Sequence, residues 1–107
     1  MENTQLESVM SLIMHSGEAK SNAFEAIQKA KKGCFEEARE KLKAADEALV
    51  LAHKSQTEML TQEAQGEKIE LSLLMVHAQD HLMTNLTFID LAKEVVAVYE
   101  QLNQMVK

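Results

Sequence analysis

The chain has 107 residues, the size of one domain, and all of it (1–107) reads as a single unit. Its 11 Lys and Arg against 17 Asp and Glu leave a net charge of −6, which excludes a protein that tracks nucleic-acid phosphates with a basic surface. Hydrophobic residues at 46% exclude intrinsic disorder, and three glycines with no proline exclude a β-sandwich, which needs a turn every ~8–12 residues. An all-α chain of a few long helices is expected.

The first helix is predicted over about 4–32, with Leu6, Val9/Met10, Ile13, Phe24, Ile27 and Ala30 as its apolar stripe. Gly17 falls inside it and marks a close approach, because a mid-helix glycine costs about 1 kcal/mol against alanine. The basic run Lys29-Ala30-Lys31-Lys32 suits the negative end of a helix, and Gly33 can take the left-handed conformation that ends one. The second helix follows over about 35–64, with Glu36 and Glu37 in its first turn and Phe35, Ala38, Leu42, Ala45, Leu49, Ala52 and Met59/Leu60 inward. Gly66, in a polar stretch, marks the next connection, and a third helix is predicted over about 70–105. Each is roughly 45 Å long at 1.5 Å per residue. Short links make neighbours antiparallel, so the expected architecture is an up-down-up three-helix bundle.

The third helix carries two faces. One stripe, Leu71, Met75, Ala78, Leu82, Asn85, Ile89, Ala92, Val96 and Tyr99, suffices to close a three-helix core. A second, heptad-like seam runs through Leu73, Asp80, Thr84, Thr87, Leu91, Val98 and Met105. A monomer leaves that seam bare, so self-association through the third helix is expected. A single cysteine, Cys34, leaves no intramolecular disulfide and no multi-cysteine zinc site, and a reducing compartment fits. The start, Met1-Glu2-Asn3-Thr4-Gln5, is unlike a signal peptide, and no uncharged run nears the ~18 residues of a membrane span. A cytoplasmic location is expected.

The densest polar cluster is Val76-His77-Ala78-Gln79-Asp80-His81, set in apolar sequence on both sides. His77 and His81 are one helical turn apart, with Asp80 three residues from His77. Solvent-facing polar residues are the plain reading. A mononuclear metal site would need a partner motif that no other helix supplies, since His15 and His53 each stand alone. A His-Glu-x-x-His hydrolase would need a general base where Ala78 stands. A third possibility makes one imidazole a nucleophile that accepts and passes on a phosphoryl group. His53 reads as structural or interfacial, His15 and Cys34 as incidental, and the seven methionines as filler.

The string Val76-His77-Ala78-Gln79-Asp80-His81-Leu82-Met83-Thr84 closely resembles the signature of the lactose/cellobiose-type enzyme IIA of the bacterial phosphoenolpyruvate-dependent sugar phosphotransferase system. Ser16-Gly17-Glu18-Ala19-Lys20-Ser21 and Ala52-His53-Lys54-Ser55-Gln56-Thr57 are similar to that family too, so the likeness spans essentially the whole chain. Cys34 departs from it, standing where the family commonly has aspartate, which weakens a helix N-cap. The resemblance implies a relay. Phosphate passes from the histidine-containing phosphocarrier protein to the residue matching His77, at Nε2, and then to a cysteine of enzyme IIB. That component phosphorylates a disaccharide such as lactose, cellobiose or chitobiose during uptake through a membrane permease. The resemblance also implies a homotrimer of three-helix bundles with one divalent metal, taken to be magnesium, on the threefold axis, held by the aspartate matching Asp80.

The residues agree with that picture on their own terms. A parallel trimer through the outer seam would bring three Asp80 carboxylates together, which demands protons or a hard cation. His77 lies about 60° round the helix from Asp80, beside the seam and off its axis. His81, or Gln56 on the second helix, could orient His77 or bond phosphoryl oxygens. Leaving the signature aside, the competing reading is a non-enzymatic helical adapter that oligomerises through the third helix.

Overall fold

Glycine stereochemistry ends the first two helices. The computed structural model describes residues 3–106 and contains α1 (Asn3–Lys31), α2 (Phe35–Ala64) and α3 (Leu73–Val106). Met1, Glu2 and Lys107, part of the predicted 1–107 unit, lie outside the described residues. After α1, Gly33 has φ 83°; its N–H donates to the Ala30 carbonyl and that of Cys34 to the Lys29 carbonyl. After α2, Gly66 has φ 94°; its N–H donates to Glu63 and that of Glu67 to Gln62. Both are the paired closing bonds of a Schellman motif, which needs a left-handed residue at the crossing point. No strand occurs among the described residues, and the three helices run up, down and up in a rod of 59 × 21 × 17 Å. The predicted all-α, three-helix architecture is thus observed.

The start of α3 differs from expectation. It begins at Leu73, three residues beyond the predicted position 70, and Leu71, placed in the inner stripe, is 82% exposed. Two local bonds explain the delay. The Gln5 side chain donates to the Glu70 carbonyl at 2.9 Å and accepts from the Glu70 N–H at 3.2 Å, which engages both backbone groups of that residue. Ser72 then caps the helix, its Oγ accepting from the Met75 N–H at 3.1 Å and its carbonyl from Val76.

The inner face of α1 also differs. The buried residues are Gln5, Val9, Leu12, Ser16, Ala19, Ala23, Ala26 and Ala30, spaced alternately by four and three. Leu6, Met10 and Phe24, predicted inward, are exposed. Ile13 and Ile27 flank the core half-buried. Small side chains let α1 lie close to both neighbours, and it makes most of the interhelical contact while α2 and α3 meet only briefly. On α2 and α3 the expected stripes are largely those observed, and across the three helices Leu12, Leu82 and Ile89 are the largest fully buried side chains among the described residues. Each such residue contributes about 1.5–3 kcal/mol by leaving water. Surface ion pairs join α2 to its neighbours at Lys41–Glu25 (2.7 Å), Lys93–Asp46 (2.9 Å) and Arg39–Glu100 (3.2 Å). At about 0–1 kcal/mol each, they favour the register more than the stability.

Candidate functional site

Ala78 and Leu82, both fully buried, fix the rotation of α3 where the polar cluster lies. With 100° per residue, the cluster is then distributed round the helix. Asp80 points away from the core and is exposed; His81 and Gln79 are half-buried on opposite flanks; His77 is exposed on the His81 side. The His81 flank faces α1 and the Gln79 flank faces α2. Gln79 Oε1 accepts from Gln56 Nε2 at 2.7 Å, and a Cβ built on Gly17 of α1 would lie 3.5 Å from His81 Nε2.

The two imidazoles are stacked, with centroids 5.8 Å apart and planes inclined by 18°. His81 thereby forms a half-buried floor under the exposed His77 ring. His77 has no hydrogen bond or ion pair among the described residues, and Asp80 has no ion pair among them. Thr84 Oγ1 donates back to the Asp80 carbonyl at 2.9 Å, and Thr87 Oγ1 to that of Met83 at 3.3 Å. Both hydroxyls are satisfied within α3, so the seam around Asp80 presents few unpaired donors. The register of α1 on α3 is held by buried Asn85, whose Nδ2 donates to the Ser16 carbonyl at 3.0 Å.

His77 and His81 are therefore brought together, while Asp80 stands apart on the outward face of α3 and Gln56 on the other flank. Within one chain its amide is engaged by Gln79 on the far flank of α3 from His77. His53 is exposed on α2, Cys34 is exposed in the α1–α2 turn, and His15 Nδ1 stands 3.6 Å from Glu18 Oε2. Sequence reasoning gave Gln79 no role and gave Gly17 no partner; the mid-helix glycine was the one signal that pointed to its packing. No group of three or more His, Cys, Asp or Glu gathers among the described residues of one chain.

Residues 7–100 match the family described as "PTS system, Lactose/Cellobiose specific IIA subunit". The chain belongs to that family. It is 48% identical over 103 residues to the lichenan-specific phosphotransferase enzyme IIA component of Bacillus subtilis (strain 168), covering 95% of this chain and 94% of that one. Its structure superposes with a TM-score of 0.93 on the crystal structure of the cellobiose-specific enzyme IIA from Bacillus anthracis, at 45% identity, covering 97% of this chain and 95% of the other. A solution structure of the IIA(Chitobiose)–HPr complex from the Escherichia coli phosphotransferase system gives 0.82 at 38% identity, covering 96% and 99%. This IIA chain is a component of a phosphotransferase system, and no helix among its described residues is long and apolar enough to cross a membrane.

Proposed function

We propose that this chain is a cytoplasmic phosphoryl carrier in sugar uptake, with His77 as the residue that carries the phosphoryl group. The observation that carries the reading is the exposed His77 ring, unbonded among the described residues and stacked on His81. A neutral imidazole nitrogen attacks phosphorus with its own lone pair, so no base has to remove a proton first. The Nε2–P bond of His77 would form as the bond to the histidine of the phosphocarrier protein breaks. It would break in turn as a thiolate of enzyme IIB takes the phosphoryl group, leaving His77 neutral again. Such transfer asks the protein for positioning and charge stabilisation, and little covalent work. His81, beneath His77, supports the ring and can offer a nitrogen to phosphoryl oxygens. The phosphocarrier partner is supported by the E. coli relative solved in complex with HPr.

The sugar is not encoded in this site. Relatives named for lichenan, cellobiose and chitobiose resemble this chain at 38–48% identity, and a carrier passes on phosphate without touching sugar. A disaccharide is the substrate class we propose for the pathway that the carrier serves.

The carrier would work as a homotrimer through the outer face of α3, where Leu73, Leu91, Val98 and Met105 are exposed beside Asp80. One chain offers a single carboxylate there. Three copies would supply the hard oxygen donors that suit a magnesium ion, and Asp80 would hold it. Its chemistry there would be to offset converging negative charge.

The test is incubation with phosphoenolpyruvate, enzyme I and the phosphocarrier protein, followed by mass spectrometry. The expected result is a gain of one phosphoryl group, labile in acid and stable in alkali. A chain that takes up none is the helical adapter instead.

A further inference from the structure

Gly17 is a costly residue where it stands. It lies in the interior of α1 with no left-handed φ to require glycine, and alanine there would favour the helix. Among the described residues, no backbone atom of a neighbouring helix comes within 4 Å of a Cβ built there either. Among the described residues, the one atom of a neighbouring helix within 4 Å of a Cβ at that position is His81 Nε2, at 3.5 Å. That is ordinary van der Waals distance, so an alanine methyl would fit without displacing the ring. It would instead cover a polar nitrogen of the ring that lies under His77.

We infer that Gly17 is a positioning residue for phosphoryl transfer, its missing side chain keeping His81 Nε2 uncovered for a hydrogen bond while the ring stays stacked on His77. The inference rests on the carrier reading above. Three observations meet in it. Asn85 pins the Ser16 carbonyl, the residue before Gly17, to α3 at 3.0 Å, so the approach is held in register. His81 is half-buried, and its ring makes no hydrogen bond among the described residues, so its nitrogens are open to a partner. The 5.8 Å stack carries any change at His81 directly to His77.

The decisive variants are Gly17→Ala, His81→Ala and the double replacement, all in the full chain. Gly17→Ala is expected to raise the midpoint of thermal unfolding, as a helix-interior alanine should. It should also move the Nε2 signal of His81 in a long-range 1H–15N spectrum at fixed pH, and slow phosphorylation by the phosphocarrier protein at least fivefold. In the His81→Ala background it should change that rate less than twofold, because an effect exerted through His81 vanishes with it. A Gly17→Ala rate within twofold of wild type, an unmoved His81 signal, or an equal fall without His81 would each overturn the inference. A wild-type chain that accepts no phosphate would sink the carrier reading, and the His81 signal would still accept or reject the Gly17 contact.

Discussion

His77 and Ala78 show how one helical step separates chemistry from stability. Ala78 is fully buried and sets the rotation of α3, while His77 is exposed and bonded to nothing among the described residues. His77→Ala should therefore change unfolding free energy by no more than about 0.5 kcal/mol. Helicity and oligomeric state should be unchanged, and phosphoryl acceptance should be lost. Circular dichroism, sedimentation and the mass assay together check this. Phosphate uptake by His77→Ala, with loss in His81→Ala or His53→Ala, would move the site elsewhere.

The helix ends differ in how well they are finished. Ser72 caps α3 with both its hydroxyl and its carbonyl, and Ser72→Ala should cost about 1 kcal/mol. At the start of α2, Cys34 supplies the carbonyl for the first helical bond but no side-chain cap. Cys34→Asp should place a carboxylate oxygen within reach of the free N–H groups of the first turn and gain about 1 kcal/mol. Urea unfolding at one fixed protein concentration measures both, with an unchanged slope expected in each case. A cap-independent α2 would show no gain from aspartate.

At the scale of the whole molecule, the outer face of α3 is left exposed among the described residues. Asp80 sits in the N-terminal half of that face with its carboxylate unpaired among the described residues. Two such carboxylates at about 4 Å repel by about 4 kcal/mol at an effective dielectric constant of 20. A buried leucine in the seam returns about 1.5–3 kcal/mol, so one layer of uncompensated charge outweighs a layer of packing. Chelation of divalent cations should therefore weaken a trimer of the wild-type chain. Asp80→Leu should keep the trimer and remove its dependence on metal, since replacing buried charge by packed apolar groups is often neutral or stabilising. Asp80→Lys should dissociate it. Sedimentation equilibrium with and without chelator distinguishes the three chains. A trimer indifferent to both chelator and Asp80→Lys would place its contact on another face.

Much of this molecule was legible in short stretches of sequence. The glycine turns at Gly33 and Gly66, the two faces of α3 and the His77–His81 turn each depend on residues within a few positions of one another. Helical periodicity and left-handed turn geometry are local, so local sequence determines them. The tertiary structure alone decided which face of α1 is inside. Phe24, Met10 and Leu6 are larger and more apolar than Ala19, Ala23 and Ala26, yet the alanines are buried because small residues allow the helices to approach. It alone delayed α3, through a Gln5 side chain 65 residues from the backbone it engages. It also engaged Gln56 with Gln79 and set Gly17 against His81. Partners across helices depend on rotation and register, and those emerge only when all three apolar stripes are packed at once.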